Sequence, residues 1–152
     1  MKNKIKMPKN INDIGSKINK LIASHNINDL CEDLQIIAII QDYMVFNDIK
    51  EPSEKVKIAA LSLNGHYILR MKFPSQELWK TAITETPTTI RYNKNPDKEL
   101  QLLAVSLNPY VITYIGDPDE DVQLVALRGD STIIKYIKYP TENAIILAKF
   151  CN

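Results

Sequence analysis

The chain has 152 residues, 45% of them hydrophobic and 24% charged, with a formal net charge of +1. That length suits one domain with a sizeable core, and the charge balance excludes wholesale disorder and a general polyanion-binding composition. Cys31 and Cys151 are too few and too far apart for a disulfide framework or a clustered metal site; no stretch approaches the roughly 20 apolar residues of a membrane span, and no signal-peptide core opens the chain, so it reads as cytoplasmic.

Residues 1–29 form a basic N-terminal segment. Over residues 1–28, Lys2, Lys4, Lys6, Lys9, Lys17 and Lys20 stand against Asp13 alone, a balance of +5, which leaves −4 for the remaining 124 residues. Such an arm contacts nucleic acid or an acidic protein, or simply solubilises a chain end. Ile11, Ile14, Ile18, Leu21 and Ile22 recur at helical spacing and predict an amphipathic helix that caps the remainder of the chain.

From Leu30 onward the sequence repeats. Pro52, Pro74, Pro96, Pro118 and Pro140 fall 22 residues apart without insertion. With each Pro as position 1, position 9 is Ala60, Ala82, Ala104, Ala126 and Ala148, and position 17 is Ile68, Ile90, Ile112 and Ile134. An earlier degenerate copy begins at Leu30 with Ala38 at position 9, and a half copy begins at Pro140. A fixed period in this range predicts an all-α fold, an α-solenoid of 22-residue helix-turn-helix units over residues 30–152.

Within a unit, positions 5, 8, 9 and 12 give helix A an apolar face, as in Val56, Ala59, Ala60 and Leu63 or Leu100, Leu103, Ala104 and Leu107. Positions 7 and 10 add a second stripe, as expected of a helix that touches two neighbours. The proline is expected in the first helical turn, where its missing N–H costs nothing, with Asn95 and Asp117 as N-caps. Asn64-Gly65, Pro87, Asn108-Pro109 and Asp130-Ser131 break helix A, and a shorter helix B comes next over positions 15–21. Its inner face is Val111, Ile112 and Ile115, or Ile133, Ile134 and Ile137.

The pattern P-x-x-E-x-V-x-x-x-A-V-x-x-N-x-x-x-I-x-Y-I-x-x-P, legible from Pro96 to Pro140, resembles a repeat family of bacteria, phages and large DNA viruses catalogued as domain of unknown function 4116. More distantly it is similar to the leucine-rich repeat variant and HEAT-like solenoids. The variant's α/3₁₀ units imply a right-handed superhelix. The resemblance covers residues 30–152 and carries no catalytic residue with it. The copy at Pro74 departs from the pattern, with Thr81, Glu85 and Thr89 at positions that are usually apolar.

Solenoids bind through columns of equivalent positions, so outward columns are the candidates. Position 6 reads as outward, with Gln35, Lys57, Gln101 and Gln123, and Trp79 on this ridge is a candidate hot spot unless its copy turns it inward. Trp79 and Arg91, with Ile145 and Ile146 of the apolar terminal helix, are the residues expected to bind a partner. That partner is another protein, or a second copy through the C-terminal helix, unless Ile145 packs on the preceding unit. Abundant Lys, Asn and Ile suggest an AT-rich genome of the kind phages carry, and a host defence or regulatory protein as target. The alternative is nucleic acid, bound by an aromatic and basic ladder on helix B: Arg70, Tyr92, Tyr114 and Tyr136 at position 19, Lys72, Lys94 and Lys138 at position 21. Those lysines also offset a helix dipole, and acids opening each helix A are expected to lie beside them and cancel their field.

Nothing in the sequence asks for catalysis or a cofactor. Asp117-Pro118-Asp119-Glu120-Asp121 imitates half a calcium loop, but Val122 stands where glycine is required and Arg128 where the bidentate acid belongs. Arg128-Gly129-Asp130 falls at the repeat's own turn. His25 and His66 sit in no ligand spacing, and the four glycines form no phosphate-binding loop.

Overall fold

A computed structural model of the chain describes residues 11–150, with side chains from residue 15 onward. Lys2, Lys4, Lys6, Lys9, Cys151 and the side chains of Ile11 and Ile14 lie outside the described residues. Among the described residues every regular element is helical. Seven α-helices, α1 (Ile11–Ser24), α2 (Glu32–Gln41), α3 (Glu54–Leu63), α4 (Gln76–Glu85), α5 (Lys98–Leu107), α6 (Glu120–Gly129) and α7 (Glu142–Phe150), alternate with six 3₁₀ segments. These are η1 (Ile27–Asp29), η2 (Tyr43–Asp48), η3 (Gly65–Arg70), η4 (Pro87–Tyr92), η5 (Pro109–Tyr114) and η6 (Ser131–Tyr136).

Each full copy is therefore an α-helix over positions 3–12 and a 3₁₀ segment over positions 14–19. The shorter helix B expected at positions 15–21 is a 3₁₀ segment that starts one residue earlier and ends two earlier. Position 13 ends the first helix and starts the second in one step. The Asn108 N–H donates to Ala104 O at 2.9 Å, closing α5, while its side-chain Oδ1 accepts the Tyr110 N–H at 3.0 Å. Asp42, Asn64 and Asp130 hold Met44, His66 and Thr132 in the same way. Six residues are too few to nucleate and extend an α-helix, so the segment closes with i→i+3 bonds such as Ile115 N–H to Ile112 O at 3.0 Å.

The helix start is also displaced from the expected one. Position 2, not the residue before the proline, is the N-cap: Asp97 Oδ1 accepts the Leu100 N–H at 2.9 Å, and Ser75 and Thr141 act likewise toward Leu78 and Ala144. Pro96 and Pro118 precede the cap by one residue, and Asn95 and Asp117 lie outside the helices they were expected to cap.

The buried arc of each helix is centred on positions 5, 9 and 10, with position 6 between them. Val56, Leu78, Leu100, Val122 and Ala144 at position 5, every Ala at position 9, and Leu61, Ile83, Val105 and Leu127 at position 10 are buried. Position 12 lies roughly 90° from the centre of that arc, given about 100° per residue. Leu63 and Leu107 are consequently exposed, against the expected face.

Contact density divides the chain into two units, residues 1–60 and 61–152. In the first, α1 packs on α2 with Ile18 and Ile22 half-buried and Leu21 exposed, and Gln41 Nε2 donates to Asn19 Oδ1 at 2.7 Å. In the second, α4, α5, α6 and α7 pack in sequence, each also against the 3₁₀ segment before it. The segments η3 to η6 contact one another in the same order. Their shared core is drawn from positions 5, 9, 10, 16, 17 and 20, as in Leu100, Ala104, Val105, Val111, Ile112 and Ile115. Each fully buried Leu, Ile or Val contributes about 1.5–3 kcal/mol relative to exposure.

The copy at Pro74 keeps the regular helix lengths. Its polar residues are absorbed locally: Thr81 Oγ1 donates to Glu77 O at 2.9 Å, and buried Thr89 to Thr86 O at 2.8 Å. Glu85 stands at position 12, which is exposed in its neighbours as well.

Candidate functional site

Position 6, expected to form an outward ridge, lies on the buried arc. Gln123 is 2% exposed. Its Nε2 donates to Pro118 O at 2.9 Å and Tyr139 O at 3.2 Å, and its Oε1 accepts the Thr141 N–H at 3.0 Å. Gln101 Nε2 reaches Pro96 O at 2.8 Å, and Gln35 Nε2 reaches Ile27 O at 3.1 Å. The column braces the inter-helix connections, and Trp79, which takes the same place, is half-buried against the core rather than on a ridge. Ile145 and Ile146 are where the sequence put them, exposed on α7.

The helix starts form a second device. Position 3 of one copy meets position 4 of the next: Lys55 Nζ lies 3.0 Å from Glu32 Oε2, Gln76 Nε2 3.1 Å from Glu99 Oε2, Lys98 bonds Asp121, and Asn143 bonds Glu120. Glu32, Glu99, Glu120 and Asp121 are thus engaged across successive copies. Among the described residues Lys72, Lys94 and Lys138 make no ion pair with these acids.

The ladder fixes a pH response. The Lys98 hydrogen bond, then its charge, hold the Asp121 carboxyl below its usual range, and bonds from Ser53 and then Lys55 do the same for Glu32. A depressed carboxyl stabilises the fold above its unfolded value and loses that contribution as pH falls through its folded value. The melting temperature therefore drops on acidification below about pH 5, where unfolded Asp and Glu begin to take up protons. A D121N/E32Q variant melts lower at pH 7 and declines less steeply; equal declines for both chains in a melting series from pH 7 to pH 2 would contradict this.

What remains outward is the 3₁₀ face. A 3₁₀ turn eclipses residues three apart, so positions 15 and 18 project together, with position 19 beside them. In the second unit these columns hold His66, Tyr110, Arg91, Lys135, Arg70, Tyr92, Tyr114 and Tyr136, together with Thr and Leu69, and contain no acid. The rings join successive segments: His66 and Tyr92 meet edge-on with centroids 6.4 Å apart, and Tyr110 and Tyr136 are tilted at 6.3 Å. The Arg91 guanidinium lies 4.6 Å from the Tyr92 ring centre and 5.8 Å from that of Tyr114, bridging η4 and η5. It also bonds the Tyr92 hydroxyl, which raises its already high pKa further. Lys135 Nζ lies 5.0 Å from the Tyr136 ring centre. Beside it Thr132 donates to Asp130 from its hydroxyl and its backbone N–H, at 2.7 and 2.9 Å, and holds that carboxyl low.

Of the predicted ladder, Tyr92 and Tyr114 are brought together, with Arg91 between them. Tyr136 pairs instead with Tyr110, and Lys135 lies over its ring, a second cluster beside the first; Tyr110, His66 and Lys135 are not among the expected residues. A shallow groove beside the ladder is lined by Asn93, Lys94, Gln101, Tyr114 and Asp117. Among the described residues, no helix is long and apolar enough to cross a membrane, and no three His, Cys, Asp or Glu come together as metal ligands. No protein family, curated protein or solved structure matches the chain.

Proposed function

We propose that the chain is a non-enzymatic binding module, a right-handed α-solenoid that grips an acidic surface of another protein with its 3₁₀ face. The observation that carries this reading is Arg91, placed over two tyrosines of successive segments, in columns that hold no acid. Tyr and Arg are the side chains that most often dominate protein interfaces, because they bring large, rigid contact area together with hydrogen-bonding tips. The face is also pre-organised: ring contacts and cation–π pairs already hold its side chains, so little rotamer freedom is lost on binding.

Nucleic acid is the weaker fit. Bases stack on free ring faces, and here Arg91 lies over Tyr92 and Lys135 over Tyr136. The protein reading moves the contact surface from the ridge first expected around Trp79 to the 3₁₀ columns, and retains Arg91.

The test is an R91A/Y114A variant, both sites being exposed. Its melting temperature is expected to stay within a few degrees of the parent, while affinity for a captured protein partner falls at least roughly tenfold, as for loss of a hot-spot residue. Undiminished capture, or tight binding of a single-stranded oligonucleotide that weakens steeply with salt and disappears in the variant, would overturn the reading.

A further inference from the structure

We infer that two copies of the chain associate through α7, packed antiparallel about a two-fold axis that passes between Ile145 and Ile146. Glu142, Ile145, Ile146 and Lys149 stand at i, i+3, i+4 and i+7, a single stripe along the helix, and all four are exposed. Ile145 and Ile146 are 38% and 45% exposed, whereas Leu102 and Leu124, the counterparts of Ile146 in α5 and α6, are partly buried against the core. Ala144 and Ala148 hold another side of α7 in that core.

The occupant is set by charge. Glu142 and Lys149 make no ion pair among the described residues, although Glu120, the counterpart of Glu142 in α6, is bonded to Asn143. An antiparallel second copy places Ile145 against Ile146 and, one turn further out at each end, Glu142 against Lys149. A parallel copy would instead set Glu142 against Glu142. Head-to-tail stacking that continued the ladder of helix starts would bring Glu142 to Asp33, another acid. The stripe is therefore self-complementary in one register only, which gives a closed dimer and not an open fibre. Exposed Phe150 flanks the seam.

Sedimentation equilibrium over a concentration series tests this with the full chain. The mass is expected to rise to that of two chains and stop there, and an I145D/I146D variant to remain a single chain. E142K and K149E each place like charges at both ends of the seam and should weaken association roughly tenfold. An equimolar mixture of E142K and K149E should pair as tightly as the parent, because each then supplies what the other lacks. That recovery separates pairing at the seam from damage to α7 itself. Three results would overturn the inference: a single-chain mass at every concentration, which leaves the stripe to a partner of different sequence; growth beyond two chains; or a mixture that associates no better than its components.

Discussion

Replacing Gln123 with Leu lowers the unfolding free energy by about 3 kcal/mol, even though an apolar side chain of similar size enters a nearly closed site. The loss comes from what the amide leaves behind. Pro118 O and Tyr139 O lose a donor, and the Thr141 N–H loses its acceptor, at the connection between η6 and α7. Each buried group left without a partner costs about 1–3 kcal/mol, partly relieved where water can reach it. Gln101→Leu, which removes a single bond to Pro96 O, should cost only about 1 kcal/mol. Denaturant unfolding of the two variants checks the contrast. Equal losses would mean that the column acts through side-chain volume and not through its hydrogen bonds.

Gly65→Ala should be comparably damaging, by about 2–3 kcal/mol, through crowding alone. A methyl group at Gly65 would sit 2.4 Å from Ala82 O and 2.9 Å from Thr86 Cβ, and the first of these is backbone at the end of α4, which cannot swing aside. At Gly129 the corresponding obstacle is the ring of Pro109, 2.4 Å away, a side chain that mutation can remove. G129A should therefore destabilise in the parent and be largely tolerated alongside P109A, whereas no side-chain change rescues G65A. Gly116 provides the control, since nothing lies within 4 Å of an added Cβ. If G65A and G116A melt alike, the close approach of η3 to α4 is not a determinant of stability.

The parts of the fold that are legible in the sequence are those governed by local chemistry. Pro at position 1, Ala at position 9 and Ile at position 17 set the copy length and two buried columns, and Asn or Asp at position 13 marks the break in every copy but the one at Pro74, where Thr86 precedes Pro87. The helix starts are misplaced in sequence because Pro and the Asp after it are both favourable there, and only the bond from Leu100 N to Asp97 shows which residue caps. Gln123 looks like an outward polar residue because its partners are backbone groups from positions 1 and 22 and from the start of the next copy, brought to it by folding alone. Trp79, which the sequence leaves open between an outward ridge and an inward turn, is half-buried against the core. The tyrosine column is visible in the sequence. The contacts of Arg91, Tyr110 and His66 with it are not, because they run between segments of successive copies that folding alone brings together.

The central claim, that the 3₁₀ columns and not the α-helical ridges meet the partner, is tested most directly by hydrogen–deuterium exchange of the chain with and without its captured partner. Protection is expected to rise in the peptides covering η4 and η5, residues 87–92 and 109–114, with little change at the exposed side of α5 around Ser106. Protection confined to the α-helical peptides, with η4 and η5 unchanged, would contradict the account.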